Sequence, residues 1–313
     1  MTRALIFPGQ GSQQVGMGKA LYDAFAEARE VFQEVDEALD QKLSQIIFEG
    51  PEDSLKMTEN TQPALMAVSM AVIRVLNKQG GFHLPEAATL VAGHSLGEYS
   101  ALCTASTFTL SDTARLLRLR GQAMQQAVPV GVGAMAALMG VDMNSAHEIV
   151  TVAAESDICT TANDNAPGQV VISGHAAAVD RAIVLAAERG FKRSIKLPVS
   201  APFHCPLMEV AAVAMEEALS KVDMKAPLVP VVSNVTATAT SDPVKIRELL
   251  VDQVTGAVRW RESVLYMKEQ GVSQLIECGS GTVLAGLCKR IDKEITVVSL
   301  HTPEQIEKFL KAI

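Results

Sequence analysis

The sequence predicts an α/β protein in which a small domain interrupts a larger one, and three observations carry that reading. Short apolar runs bounded by glycine alternate with amphipathic helical segments along most of the chain, the rhythm of a sheet flanked by helices. Between residues 130 and 198 the rhythm changes to strand, helix, two strands, helix, strand, which is the split βαβ order of a ferredoxin-like unit. The 313 residues also suit two domains, at about 150 residues per domain.

Residues 3–7 read as a first buried strand that ends in Pro8-Gly9-Gln10-Gly11. A helix is expected over 22–39, and Pro63 is placed as the first residue of another that runs to Lys78. Residues 88–93 form a short strand feeding a helix from Leu96, and Ser111 is expected to cap a helix that continues to Ala127. In the inserted unit, 133–140, 158–161, 169–173 and 193–199 are extended, while 145–154 and 177–189 are helical. The α/β rhythm then resumes with a helix from Pro206, a strand at 229–233, a helix over 261–270, a strand at 274–277 and a helix from Thr282. A substrate site is expected in the cleft between the two domains.

Composition narrows the function. Twenty-seven basic against 35 acidic residues give a net charge of −8, which argues against a nucleic acid or an anionic membrane as partner. The five cysteines contain no C-x-x-C pair, so reduced buried thiols are expected rather than a metal site or a disulfide framework. The longest uncharged apolar stretch, 127–141, is broken by Pro129, Gly131 and Gly133. With no membrane span and no signal-peptide core, a cytoplasmic location is expected.

The sharpest motif is Gly93-His94-Ser95-Leu96-Gly97, a G-x-S-x-G between a strand and a helix. That setting presents a serine hydroxyl on a tight turn, with the Leu96 amide free at the helix start to stabilise an oxyanion. The other reading is a glycine-flanked serine that caps a helix. A nucleophilic serine needs a base, and of the six histidines His204, between Pro202 and Pro206 at the return to the large domain, fits best. Its apolar neighbours Ala201 and Phe203 suit an imidazole held neutral, though they suit a core histidine as well. His94, beside the serine, reads as structural, and no carboxylate is singled out as a third partner.

Arg120 is an independent clue. It falls inside the apolar stripe formed by Leu116, Leu119, Ala123, Met124 and Ala127, and a buried guanidinium requires a partner. The partner is either an internal Asp or Glu or the carboxylate of a substrate. Nucleotide motifs fail: Gly9-Gln10-Gly11 lacks the third glycine, Gly18-Lys19 lacks the rest of a P-loop, and the Gly279-Ser280-Gly281 loop lacks the remaining dinucleotide pattern. The first loop does offer Gln10 and its amides at the carboxyl end of a strand.

Taken together, FPGQGSQ (7–13), TQPAL (61–65), GHSLGEYSAL (93–102), LRG (119–121), NAPGQVVISG (165–174), FHCPLM (203–208) and ECGSGTVLAGL (277–287) resemble malonyl-CoA:acyl carrier protein transacylases, in that family's order over nearly the whole chain. The resemblance implies an α/β-hydrolase-like large domain (1–129 and 199–313) with an inserted ferredoxin-like (βαββαβ) small domain (130–198). It implies Ser95 as nucleophile, His204 as general base, and the main-chain carbonyl of Gln253 orienting His204 in place of a carboxylate. It implies an oxyanion hole at Gln10 and Leu96 and a malonyl carboxylate clamped by Arg120. Phe203 resembles the malonyl-selective form of polyketide acyltransferases and departs from stand-alone members that carry serine there. Gln62, Asn165 and Val283 match positions near the family's pocket.

The implied reaction moves a malonyl group from malonyl-CoA to a phosphopantetheinylated acyl carrier protein, with no permanently bound cofactor and with a monomer as the expected state. An acidic carrier requires a local basic patch, and Arg189, Lys192, Arg193 and Lys196 form the densest candidate, otherwise an ordinary solvated face. A serine thioesterase or esterase of the same fold, a transacylase serving a malonate-decarboxylase or polyketide system, and a silent carrier-binding module stand as alternatives.

Overall fold

The computed structural model describes residues 2–199 and 201–312. Two sheets organise the chain. The larger contains β1 (Arg3–Phe7) and β2 (Leu90–Gly93), and the smaller contains β3 (Gly133–Met139), β4 (Cys159–Ala166), β5 (Gln169–His175) and β6 (Arg193–Lys196). The larger is completed by β7 (Val231–Val232), β8 (Ala239–Thr240), β9 (Gln274–Cys278) and β10 (Thr296–Leu300). Its order is β10-β9-β1-β2-β7-β8, parallel throughout except for the β7–β8 pair. The smaller sheet has the order β4-β5-β3-β6 and is wholly antiparallel.

Apart from Arg3, the strands β1 and β2 are apolar, and their alternate residues enter two separate cores in which helices pack on either face of the larger sheet. The helix Thr58–Gly80 lies in the middle of one layer, with buried residues all round it from Thr58 to Leu76. It begins five residues before the expected start, so Pro63 sits inside it and forfeits only the ladder bond to the Glu59 carbonyl. The expected helix 22–39 is broken at Phe25, whose backbone is extended, into Lys19–Ala24 and Ala26–Leu39. Arg29 Nη1 bridges the break by donating to the carbonyls of Tyr22 and Asp23 at 2.9 and 3.2 Å.

The helix expected to be capped by Ser111 is capped two residues earlier, by Thr109, whose hydroxyl accepts from the Asp112 amide at 3.0 Å, and starts at Leu110. Its buried stripe is Thr113, Ala114, Leu116, Leu117, Arg120, Gly121 and Met124, whereas Leu119 faces outward. Gly121 lets this helix run against the backbone of Glu59, where a Cβ would meet Glu59 Cα at 2.5 Å. That close approach sets Arg120 beside Gln62. β4 extends well past the expected 158–161, because its polar end is internally satisfied: buried Asp164 pairs with Arg261 at 2.8 Å.

β7 covers only two residues of the strand expected at 229–233. Helices Leu43–Glu49, Glu52–Lys56, Pro243–Thr255 and Pro303–Leu310, and strands β8 and β10, are additions to the elements expected from the sequence. All five cysteines are buried and free, and no described helix is long and apolar enough to cross a membrane.

The register Phe7↔Gly93 places the loop after β1 against the turn after β2, at the carboxyl ends of parallel strands, where α/β sheets bind ligands. Two glycines make this junction possible. A Cβ on Gly93 would lie 1.9 Å from the Gly97 carbonyl, and one on Gly97 would lie 2.3 Å from the Phe7 oxygen. Gly93→Ala is therefore expected to destabilise the fold by more than about 3 kcal/mol. Gly286→Ala, in an exposed helical position with nothing within 4 Å, is expected to stabilise it by about 0.5–1 kcal/mol. Urea midpoints of the two variants against the parent chain check both signs.

Candidate active site

Ser95 stands between β2 and the helix Gly97–Thr104 with φ 53°, in the left-handed region that non-glycine residues avoid. The turn is held from several sides. The Ser95 amide donates to Asn234 Oδ1 at 2.7 Å, Asn234 Nδ2 donates to the Gly93 carbonyl at 2.7 Å, and the Glu98 amide closes on the Ser95 carbonyl at 3.0 Å. A residue costing about 1–3 kcal/mol of backbone strain persists only where its surroundings over-determine it, as they do here.

His204 is 4% exposed, and its φ of 58° is also left-handed. Its Nε2 lies 2.8 Å from Ser95 Oγ. Its Nδ1 faces two carbonyls, Gln253 O at 2.8 Å and Gly256 O at 3.1 Å. Both are acceptors only, so the neutral ring carries its proton on Nδ1 and turns the Nε2 lone pair to the serine. Burial, and then the positive charge of Arg120, push the His204 pKa from 6.5 down to about 3, against the opposing pull of the Gln253 carbonyl.

The Arg120 guanidinium is 1% exposed and donates to three neutral oxygens: Gln62 Oε1 at 2.8 Å, Gln253 Oε1 at 2.9 Å and Ser95 Oγ at 3.2 Å. Among the described residues no carboxylate pairs with it directly. Glu98 is reached only through the Gln253 amide, whose Nε2 donates to Glu98 Oε2 at 2.7 Å. Desolvation raises the Glu98 pKa to about 7, in spite of the bonds it accepts from Asn234 and Gln253.

These groups meet at one end of a cleft of about 250 Å³ between the two sheets. Gln10, Gln62, Ser95, Leu96, Arg120, Phe203 and His204 line it from the larger body, while Met135, Asn163 and Leu197 close it from the smaller sheet. Gln253 lies behind Arg120 and His204. His94 turns its Nε2 away to Asn165 Oδ1 at 2.8 Å, and its ring lies 5.7 Å from that of Trp260.

Two residues expected near the pocket do not themselves line it, although Asn165 reaches it through His94. A register shift between Asp164 and Ala166 turns Asn165 to His94, and Asn163 takes the place in the cleft. Val283 is 47% exposed, because Glu277 accepts from the Leu284 and Ala285 amides and fixes a helix start that buries Leu284 instead. The basic patch is also partly spoken for. Arg189 pairs with Glu148 at 2.9 Å and Lys196 with Asp180 at 2.8 Å, leaving Lys192 and Arg193 exposed beside and on the edge strand β6.

Sequence reasoning missed Asn234 and Glu98. Glu98 left a signal, being the one charged residue from Gly93 to Ser111 in a stretch that reads as buried. Asn234 left none, since the Ser95 amide and Gly93 carbonyl that it holds lie more than a hundred residues away along the chain.

A serine bonded to a neutral imidazole in a cleft of a mixed α/β architecture is the arrangement of enzymes that carry acyl groups on a serine, acyltransferases among them. Comparison with known proteins agrees. A family model described as the acyl transferase domain matches residues 4–307. A malonyl CoA-acyl carrier protein transacylase of Bacillus subtilis (strain 168) is 43% identical over 311 residues, covering 99% of this chain and 96% of that protein. One of Escherichia coli (strain K12) is 44% identical over 308 residues, covering 98% of each. Among solved structures, an acyl-carrier-protein-S-malonyltransferase from Bartonella henselae gives a TM-score of 0.97 at 56% identity, covering 100% of this chain and 99% of that one. A malonyl-transacylase in complex with its type II PKS acyl-carrier protein gives 0.96 at 40% identity, covering 100% of both. The chain belongs to the malonyl-CoA:acyl carrier protein transacylase family.

The depressed His204 pKa has a measurable consequence. In the folded protein the ring stays neutral from pH 6.5 down to about 3, whereas in the unfolded chain it gains its proton near 6.5. Its contribution to stability is therefore full above pH 6.5 and drains as pH falls toward 3. Ser95 should accordingly react with phenylmethylsulfonyl fluoride at a level rate from neutral pH down to about pH 5. Inactivation rates across that range check it, and an acid limb centred near 6.5 would mean a solvated imidazole.

Proposed function

We propose that the protein transfers a malonyl group from malonyl-CoA to the phosphopantetheine thiol of an acyl carrier protein through a malonyl ester of Ser95, supplying fatty-acid synthesis. The observation that carries this reading is the Arg120 guanidinium, buried in the cleft, bonded only to neutral oxygens and 3.2 Å from the serine hydroxyl. A buried cation without a carboxylate partner is costly, and a substrate carboxylate arriving there offsets that cost with a charge-assisted pair.

In the first half-reaction His204 Nε2 takes the Ser95 proton as Oγ attacks the thioester carbonyl carbon. The tetrahedral oxyanion rests on the backbone amides of Gln10 and Leu96. Collapse breaks the carbon–sulfur bond, and CoA leaves as the thiol with the proton from His204. In the second, the carrier's thiol gives its proton to His204 and attacks the ester, and Ser95 is released with that proton returned. The carbonyls of Gln253 and Gly256 stabilise the transient imidazolium as a carboxylate would in a Ser-His-Asp triad. Side chains and amides carry every step, with no resident cofactor. Phe203 and Gln62 shape the acyl end of the cleft.

We read the fold in the same way, as an α/β-hydrolase-like domain of residues 1–129 and 199–313 with a ferredoxin-like insert at 130–198. What supports the insert is its chain order β3, helix, β4, β5, helix, β6 and its antiparallel sheet order β4-β5-β3-β6. What supports the docking patch is the exposure of Lys192 and Arg193 at that domain's edge.

Intact-protein mass after brief mixing with malonyl-CoA tests the reading. A single malonyl adduct is expected on the parent chain, none on Ser95→Ala, and carrier protein should discharge it. Discharge by water alone would make the protein a hydrolase, and no adduct on a folded chain would leave a silent module. Arg120→Ala should lower malonyl acylation by about 100-fold or more while acetyl acylation persists or rises. An equal fall for both acyl groups would remove the clamp. Charge reversal at Lys192 and Arg193 should raise the KM for the carrier about tenfold without changing hydrolysis of malonyl-CoA, and an unchanged KM would remove the patch.

A further inference from the structure

We propose that the buried Glu98 carboxylate is a positioning residue: one of its oxygens fixes the side chain of Gln253 and the backbone of Asn234, and so holds Arg120 and the Ser95 turn in place. The inference rests on the roles given above to Ser95, His204 and Arg120. Glu98 itself does not line the cleft. It is 1% exposed, in a helix all of whose residues from Gly97 to Thr104 are buried. A carboxylate there needs a reason, because an isoleucine or leucine would fill the space without desolvating a charge.

The reason lies in what faces it. Glu98 Oε2 accepts from Gln253 Nε2 at 2.7 Å and from the Asn234 amide at 3.0 Å. The Gln253 side chain sits between Glu98 Oε2, an oxygen that already accepts two N–H bonds, and the Arg120 guanidinium, which only donates. Its Oε1 takes the Arg120 guanidinium at 2.9 Å, and its Nε2 gives to Glu98 and also to the Ser95 carbonyl at 3.1 Å. Rotating the amide by half a turn would set N–H against the guanidinium N–H and carbonyl oxygen against carboxylate. Glu98, the nearest of three acceptors that the same Nε2 faces (the Ser95 carbonyl at 3.1 Å and Asn234 Oδ1 at 3.3 Å are the others), leads in specifying the one orientation in which Arg120 finds an oxygen. The second arm runs through Asn234, whose backbone amide Glu98 holds while its side chain takes the Ser95 amide at 2.7 Å and grips the Gly93 carbonyl at 2.7 Å. Specificity for a substrate carboxylate and the geometry of the nucleophile thus converge on one oxygen atom outside the cleft.

The test compares Glu98→Met, Glu98→Gln and Gln253→Met, the last of which keeps the main-chain carbonyl that faces His204. kcat/KM for acylation by malonyl-CoA and by acetyl-CoA is read for each. The malonyl-to-acetyl ratio is expected to fall about tenfold in Glu98→Met and in Gln253→Met. It should return to within about threefold of the parent in Glu98→Gln, whose amide oxygen can accept both N–H groups. The double variant Glu98→Met/Gln253→Met should be no worse in this ratio than Gln253→Met alone. An equal fall for both substrates in Glu98→Met, an unchanged ratio in Gln253→Met, or additive losses in the double variant would each overturn the proposal. If Glu98→Met does not fold, the Gln253→Met ratio still decides.

The two readings fail separately. Absence of a malonyl adduct on the parent chain sinks the functional reading, whereas a crystal structure of Glu98→Met with the Arg120–Gln253 bond unchanged sinks the network whatever the turnover.

Discussion

The positive charge of Arg120, withdrawn from water and given only neutral oxygens, is the constraint around which the site is arranged. A guanidinium in that position can be kept charged only by a dense set of acceptors, and the fold supplies them from three separate segments: Gln62, Gln253 and Ser95. Close approaches seat two of these segments. Gly121 lets one helix touch the backbone of the Gln62 helix, and Gly97 lets the Ser95 turn touch the end of β1. An internal carboxylate partner would have been simpler and more stable, but it would have neutralised the charge and left nothing to recognise in a substrate.

The same charge explains the base. Burial lowers the proton affinity of the imidazole most, and the cation beside it lowers it further, so His204 rests neutral with Nε2 free to accept from Ser95. A carboxylate on the far side of the ring would raise its pKa and work against that. Two carbonyls orient the ring without adding a charge, which suits a site that already holds one buried cation and, on the proposed reading, admits an anionic acyl group. With a left-handed backbone at both Ser95 and His204, the two side chains meet at 2.8 Å on the larger body's side of the cleft.

What could be read from the sequence was what short-range sterics and periodicity write down. The glycines of G-x-S-x-G are required by close approaches within a few residues and to one neighbouring loop, so the motif marked the turn. The 3.6-residue stripe placed Arg120 on a buried face although Leu119, assigned to the same stripe, points to solvent. The strand and helix order of the insert was legible because β3 and β5 are short, continuously buried runs beside helical segments, save for β4, whose polar end is buried by the Asp164–Arg261 pair and reads as a loop. The helix Pro243–Thr255 went unread although Asp242 caps it just before a proline at its first position. Gln253 was therefore known only by resemblance. Asn163 replacing Asn165 in the cleft follows from a bulge, which no single-strand pattern records.

Gln253 joins these strands of the argument. Its backbone carbonyl orients the base, its side-chain oxygen holds the cation, and its side-chain nitrogen reaches the buried carboxylate. On the proposed reading, an acyl group with a free carboxylate meets a guanidinium already aimed by that amide, so little reorganisation is needed when it binds. An acyl group lacking the carboxylate leaves the same guanidinium desolvated and without a counter-charge at the moment the cleft closes over it. Selectivity then resides less in the attraction felt by the right substrate than in the penalty imposed on the wrong one, and the residue that sets that penalty also aims the proton acceptor. Discrimination and chemistry are coupled through one side chain, which is why the surrounding hydrogen bonds leave it a single orientation.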